Sequence, residues 1–357
     1  MNRQLRIAIV ANANSIHTIR WVSWLEKKGH LVKTYSLQEN PSAIYFGPEP
    51  PLNRKLLLNL GSGVRKTTKL LQNAIDEFKP NLIHGFFLTN HGFYASRIKN
   101  YPIVVTALGS DVLLAPSESK ILNWITKKTV KNANVIISVA KHMTDVILSW
   151  GVSKSKIVTS PLGIDSNIFK PLEKEKTILF SRGFKEVYDP LTLMKSIPEV
   201  LHKIPNVNFV LCGTGEFIEE CKEYVNKNKL IDSVEFLGHV PNNQLTGLVG
   251  KASVLVSPSL SDGAPVSVLE GLACGCVIVA TDIPANRAWV YPNENGLLFK
   301  PRNSINLSEA LITALTNKKL KKNAFTQGPK LIFEKANWEK EIKRVTKEYF
   351  NLINFAK

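Results

Sequence analysis

Cysteine is scarce: Cys212, Cys221, Cys274 and Cys276 are the four in 357 residues. No two form a CxxC pair, and His202 and His239 lie at no zinc-ligand spacing from them, so a structural metal site is not expected. Four thiols without a secretion signal fit a reducing cytosol, where a disulfide framework would not persist. Long hydrophobic runs are also missing. No window approaches the ~18 consecutive apolar residues of a membrane-spanning helix. The opening run from Leu5 to Ala11 is broken by Asn12 and Asn14 and has no small-residue cleavage site. It reads as a buried first strand and not as a signal peptide. No internal repeat or low-complexity tract is present. Gly61-Ser-Gly63 is followed by Lys66 and not by a third glycine, so it fails as a dinucleotide fingerprint and reads as a loop.

Acid is in deficit, with 29 Asp/Glu against 46 Lys/Arg. Residues 1–170 hold 22 basic and 9 acidic side chains, a net of +13, whereas residues 171–357 hold 24 and 20, a net of +4. The two halves therefore meet different surroundings, and the basic half implies an anionic partner: nucleic acid, a phosphorylated substrate or an acidic lipid surface. A solubilising excess of charge is the plain alternative. Aromatic–basic interleaving and recognition motifs are absent, which argues against nucleic acid. The chain is too long for one core, and at 44% apolar and 21% charged it is globular in composition.

What is present is an alternation of short β-branched runs with helix-period stretches, the pattern of βαβ units around parallel sheets. The expected strands of the first half are Leu5–Asn12, Leu31–Ser36, Leu82–Phe87, Ile103–Leu108, Val135–Val139 and Ile157–Ser160. Those of the second are Thr177–Ser181, Val207–Cys212, Val234–Leu237, Val254–Ser257 and Val277–Thr281. Helical periodicity marks Ile16–Lys28, Lys66–Phe78, Leu191–His202 and Ile305–Leu315. The class is α/β, with two doubly wound domains over residues 1–168 and 169–335, joined in the charged stretch Asn167–Lys176. A last apolar-periodic segment within 336–357 has no following strand and is expected to cross back onto the first domain. Ligands of such sheets bind at the carboxyl ends of the strands, where helix N-termini offer N–H groups to phosphates.

The densest chemical signal runs from Ser257 to Gly275. A strand enters the polar turn Asp262-Gly263-Ala264, and a helix opens near Pro265, a residue suited to the first helical position. The amides around Ala264, Val266 and Ser267 are expected to form a phosphate cradle. Asp262 before the helix and Glu270 near its second turn can border one ligand; alternatively Asp262 caps the helix and Glu270 faces solvent.

This stretch resembles the acid-x7-acid signature of the retaining glycosyltransferases of family 4, which have the GT-B fold of two Rossmann-like domains facing a cleft. Asp262 and Glu270 match its two positions, with Asp in place of the usual Glu at the first. Ala273-Cys-Gly275, Val277–Thr281 and the turn Asn295-Gly296-Leu-Leu-Phe299 fall where the family places them. Ser160-Pro-Leu-Gly163-Ile-Asp165 resembles its interdomain turn, Gly213-Thr-Gly215-Glu216 its glycine pair, and Gly238-His239-Val240 the loop that meets the base. Ser15-Ile-His17 resembles the first helix, and Gly109-Ser110-Asp111 the "GSD" loop. The usual glycine-rich first turn is replaced by Ala11-Asn12-Ala13-Asn14-Ser15, and Leu108 stands where many relatives carry His or Trp.

By that resemblance the donor is a nucleotide-sugar such as a UDP- or GDP-sugar, with Asp262, Arg182 and Lys185 catalytic. Lys185 lies three residues beyond Arg182, and Tyr188 sits nearer the family's usual lysine position. Glu270, Gly263, Ala264, Pro265, Val266, Gly213, Gly215, His239 and Val240 would hold the donor. Asn14, Ser15, His17 and Asp111 would stand on the acceptor side, although His17 and His84 each also fit a packed, hydrogen-bonded role. The implied reaction is metal-independent front-side transfer of a hexosyl or N-acetylhexosaminyl group, and no DxD motif is present. The implied acceptor is a glycan or lipid-linked glycan precursor of cell-surface polysaccharide. A cytoplasmic protein, peripheral on the inner membrane face, is the expected setting. Arg54, Lys55, Arg65, Lys66 and Lys69 flank Leu56-Leu-Leu58 and Leu70-Leu71, a pattern that suits an anionic leaflet or an amphipathic helix packed on the sheet. A GT-B epimerase or phosphorylase, or a non-catalytic nucleotide-sugar module, are the competing functions.

Overall fold

The computed structural model describes residues 3–48 and 62–355. Two compact units result. The first takes the chain up to Pro161 together with Ile342 onward, and the second takes Leu162–Glu341. The division falls seven residues ahead of the expected 168/169 boundary. Ile164 already pairs with Asn337, and Phe169 is buried in the second unit's core.

Among the described residues the first unit holds a seven-stranded parallel sheet, ordered β3-β2-β1-β4-β5-β6-β7. Its strands are β1 (Arg6–Val10), β2 (Leu31–Ser36), β3 (Ile44–Tyr45), β4 (Leu82–Phe86), β5 (Ile103–Ala107), β6 (Val135–Ser138) and β7 (Ile157–Thr159). The second unit holds a six-stranded parallel sheet, ordered β10-β9-β8-β11-β12-β13. These are β8 (Glu175–Ser181), β9 (Asn208–Cys212), β10 (Val234–Gly238), β11 (Ala252–Ser257), β12 (Val277–Thr281) and β13 (Gly296–Phe299). Strands β4, β5 and β12 are buried at every position. Helices cover both faces of such sheets, which is why these strands read as unbroken apolar runs. Each Ile, Leu or Val fully withdrawn from water contributes roughly 1.5–3 kcal/mol.

Two strands depart from the sequence reading. The segment expected to be a turn, Asn295 to Phe299, contains β13, which pairs in parallel with β12 from Gly296 to Phe299. The two-residue edge strand β3 had no periodicity long enough to announce it. All four cysteines are free and buried, and burial pushes Cys212 up to about 11 and Cys221 up to about 12.

The last helix, Trp338–Phe355, buries Ile342, Val345, Tyr349 and Ile353, one stripe at helical spacing. Its Tyr349 hydroxyl accepts from the indole N–H of Trp21 at 3.1 Å and meets His84 Nδ1 at 2.5 Å. His84 Nε2 meets Thr106 Oγ1 at 2.6 Å. The tyrosine proton goes to Nδ1, so Nε2 carries the ring proton and every group in the chain is satisfied. His84 is thus the packed, hydrogen-bonded residue that one of its two readings described.

The helix Ser62–Phe78 sends Val64, Leu71, Ile75 and Phe78 into the core, while Arg65, Lys66, Lys69 and Leu70 are exposed or half-buried at the surface. Arg54, Lys55, Leu56–Leu58 and Gly61 lie outside the described residues. No described helix is long and apolar enough to cross a membrane.

Burial lowers His84 to about 3 and His91 to about 4, and also depresses His30. In the unfolded chain each titrates near 6.5, so only the unfolded state gains protons as pH falls below that value. Their contribution to stability is present above pH 6.5 and lost below it. Between pH 7 and pH 5, His84 and His91 together should cost about 4 kcal/mol in urea unfolding. His84→Asn should remove about half of that slope. A pH-independent midpoint over this interval would contradict the assignment.

Candidate active site

The site of the second unit forms where β8, β9, β10 and β11 end. Strand β8 delivers Arg182, whose guanidinium donates to Asp262 Oδ2 at 2.5 Å. The pair is largely withdrawn from water, with 14% and 9% of the two side chains exposed. Burial raises the Asp262 pKa, while Arg182 and the amides of Gly263 and Ala264 draw it back. The cation and the amides, not solvent, therefore oppose the effect of burial on this carboxylate. Tyr188 lies under the guanidinium, 4.1 Å from ring centroid to Cζ. A cation over a desolvated ring is worth on the order of 1–2 kcal/mol, and here the ring fixes the plane of the fork.

The glycine pair explains how the β8 end is held. Gly213 has φ +132° and Gly215 φ +157°, and a side chain at either would overlap the carbonyl of Arg182 or Phe184. That close approach lets the Phe184 N–H reach the Thr214 carbonyl at 3.0 Å and the Gly213 N–H reach the Gly238 carbonyl at 2.6 Å. Three strand ends are thereby locked together behind Arg182. His239 is exposed just beyond, whereas Val240 packs against the core, so at that position only backbone can face a ligand.

The turn after β11 differs from expectation in its amides. The helix spans Val266–Ala273 with Pro265 as N-cap, one residue earlier than the first-turn position expected for it. The Gly263 and Ala264 amides serve Asp262, and the Val266 N–H donates to the Ala264 carbonyl at 2.8 Å. The expected cradle of amides is thus largely taken up internally, because the Asp262 carboxylate is itself the nearest anion. Ser259 and Leu260 brace the turn: the Leu260 N–H donates to the Val187 carbonyl at 2.8 Å, and the Thr281 hydroxyl donates to the Ser259 carbonyl. Glu270 is half-buried in the helix's second turn, and Lys185 is exposed on the loop that carries Tyr188.

Three buried polar atoms here have no partner among the described residues: Arg182 Nε, Ser181 Oγ and Ser267 Oγ. Burying such a group unpaired costs about 1–3 kcal/mol. Among the described residues no group of three or more His, Cys, Asp or Glu is placed to hold a metal.

In the first unit the structure separates the four acceptor-side candidates. Ser15 and His17 border a cavity of about 270 Å³ with Asn12, Gln38, Asn90 and Leu108. Asn14 is exposed and accepts from Asn40 Nδ2 at 2.8 Å. Asp111 corrects the expectation. It is fully buried, and its carboxylate accepts from the amides of Leu88 (2.8 Å), Gly109 (2.8 Å) and Leu108 (3.1 Å). Both oxygens are spent on backbone, so this acid ties the loops after β4 and β5 instead of meeting a ligand. Gln38 and Asn90 carried no motif in the sequence. Only the Asn-before-helix position of Asn90, whose Oδ1 accepts from the His91 N–H at 2.6 Å, was a readable signal.

The family model "Glycosyl transferases group 1" matches residues 164–331, and "Glycosyl transferase 4-like" matches residues 6–140. The chain belongs to the family-4 glycosyltransferases. A glycosyltransferase of Methanocaldococcus jannaschii is 28% identical over 80% of this chain and 79% of its own. The N,N'-diacetylbacillosaminyl-diphospho-undecaprenol alpha-1,3-N-acetylgalactosaminyltransferase of Campylobacter jejuni is 28% identical over 57% of each chain. Among solved structures, Anabaena HepE with UDP-glucose superposes with TM-score 0.79 at 14% identity, covering 98% of this chain and 100% of that one. Sucrose-phosphate synthase of Thermosynechococcus elongatus gives 0.78 at 18%, covering 99% and 100%. The fold of this glycosyltransferase is GT-B.

Gly213→Ala should destabilise the second unit by roughly 1–3 kcal/mol through backbone strain. Gly247→Ala, inside the helix Asn242–Lys251 at a position with open space around it, is the control and should not destabilise, since alanine is the better helix former. Calorimetric melting reads the difference, and equal behaviour of the two variants would refute the lock.

Proposed function

We propose that this glycosyltransferase moves a hexosyl or N-acetylhexosaminyl group from a nucleotide-diphosphate sugar to an acceptor with retention at the anomeric carbon. The acceptor is a glycan or a lipid-linked glycan precursor of cell-surface polysaccharide. The observation that carries the reading is Arg182: a buried cation whose Nε has no partner, held by Tyr188, at the carboxyl end of a parallel sheet. The UDP-glucose bound to Anabaena HepE supports the donor class, and the diphospho-undecaprenol for which the Campylobacter enzyme is named supports the acceptor class.

In this reading Asp262 occupies the cation until the donor arrives. The diphosphate then takes over the Arg182 fork and the Ser267 end of the helix, and the released carboxylate turns to the sugar hydroxyls. Lys185 adds a second positive charge from the neighbouring loop, and Glu270 accepts from the ribose hydroxyls. Gly263, Ala264, Pro265 and Val266 shape the wall along the phosphates, and the backbone at His239 and Val240 meets the base. The bond from the anomeric carbon to the β-phosphate oxygen breaks, and the acceptor oxygen bonds on the same face. Its proton passes to the departing phosphate. Fixed positive charge lowers this barrier because the leaving group gains charge as the bond breaks. The reaction needs no metal in this reading. Arg65, Lys66 and Lys69 bring the first unit to an anionic membrane surface, where each cation is worth about 1 kcal/mol.

Thermal-shift measurements across UDP-, GDP- and ADP-sugars without metal should give a rise for one nucleotide class, since ligand binding stabilises by mass action. Glu270→Ala should abolish that rise and reduce transfer at least a hundredfold, with the unliganded melting temperature unchanged. Full turnover in Glu270→Ala, or free epimerised donor made without acceptor, would overturn the reading.

A further inference from the structure

One cavity of the first unit lies at the carboxyl ends of β1, β4 and β5, bordered by Asn12, Phe87 and Leu108 from the segments that follow them. Its volume, about 270 Å³, falls just under the roughly 300–1,000 Å³ of sites for drug-sized ligands, the size of a single ring and not of a chain.

The lining has an unusual charge balance for its surroundings. Residues 1–170 carry 22 Lys/Arg and 9 Asp/Glu, yet no Lys, Arg, Asp or Glu is among the described residues of this cavity. The polar groups are the amides of Asn12, Gln38 and Asn90, the hydroxyls of Ser15 and Thr18, and the imidazoles of His17 and His91. His91 brings no charge: its Nε2 accepts from the Leu37 N–H at 3.2 Å, its Nδ1–H donates to Asn90 Oδ1 at 3.1 Å, and burial holds its pKa down to about 4. Asp111, beside Leu108 in the fold, has its oxygens on backbone amides. A phosphate or carboxylate placed here would meet no lysine or arginine among the lining residues, a costly arrangement for a group withdrawn from water. Hydroxyl groups, which both donate and accept, match amides and a serine, and the C–H face of a ring matches Phe87 and Leu108.

One wall of the cavity is strained. Phe87 has φ +66°, a left-handed conformation that a bulky residue rarely adopts. Four hydrogen bonds hold it there: Phe87 N–H to Thr106 carbonyl (2.9 Å), Gly92 N–H to Phe87 carbonyl (2.9 Å), Leu88 N–H to Asp111 (2.8 Å) and Thr129 hydroxyl to Leu88 carbonyl (2.9 Å). Strain maintained by that many restraints presets the shape of a site before a ligand arrives.

We propose that this cavity binds an uncharged sugar ring through its hydroxyls, so that the acceptor group recognised by the first unit is a neutral glycosyl residue and not a phosphate. This rests on the glycosyltransferase reading for its place in the reaction, but not for its chemistry.

The test is saturation-transfer NMR on the full chain with UDP present in excess, comparing neutral methyl hexosides with hexose 6-phosphates. At least one methyl hexoside should give transfer that Gln38→Ala and Leu108→Arg each weaken tenfold or more, while the UDP-induced thermal shift stays as in the parent. The sugar phosphates should bind at least tenfold more weakly. Absence of any hexoside signal, tighter binding of the phosphates, or signals untouched by both substitutions would overturn the proposal. If UDP fails to bind while the hexoside signal persists and responds to the substitutions, the donor reading falls and the neutral-ring site stands.

Discussion

The ion pair between Arg182 and Asp262 is the contact on which the second unit's site depends. Two charges this far from water are tolerated only because each answers the other, and removing one partner of a buried pair typically costs about 3–5 kcal/mol. Everything around the pair serves its geometry. The glycines at 213 and 215 let β9 approach the β8 end, Tyr188 fixes the guanidinium plane, and the braced turn at Ser259 and Leu260 aims Asp262 back at it. The proposed displacement of Asp262 by a diphosphate follows from this pairing, since the same groups that hold the carboxylate present fixed positive charge.

The two units solve different electrostatic problems. In the second, a buried cation and the amides at a helix start are matched to an internal carboxylate, that of Asp262. In the first, which carries most of the chain's positive charge, the cavity at the strand ends is without a charged residue among those described. The basic side chains lie outward instead, Arg65, Lys66 and Lys69 among them. Net charge by itself thus pointed to an anionic partner for the half, but the charge does not line this cavity.

Strands β4, β5 and β12 were legible because burial on both faces leaves an unbroken apolar run. Strand β13 was not, since Asn295-Gly296 looks like any turn and only its parallel partner β12 makes it a strand. Arg182 and Asp262 could each be picked out, 80 residues apart, from a strand end and a helix start; that they touch could not. Asp111 shows the limit most plainly. A Gly-Ser-Asp loop reads the same whether its acid faces a ligand or three backbone amides, and the Leu88 amide that decides the matter comes from the segment after another strand. Tyr188 was visible as a departure from the family pattern, but its stacking on Arg182 is a property of the folded loop.

The most direct test is the affinity for UDP of the parent, Asp262→Asn, Arg182→Ala and the double variant, measured by isothermal titration. If Asp262 is the anion that the diphosphate displaces, Asp262→Asn should bind UDP about tenfold more tightly, a change of ~1.4 kcal/mol, while losing transfer. That gain should vanish when Arg182 is also removed. Weaker or unchanged UDP binding in Asp262→Asn, or a gain that survives the loss of Arg182, would contradict the account.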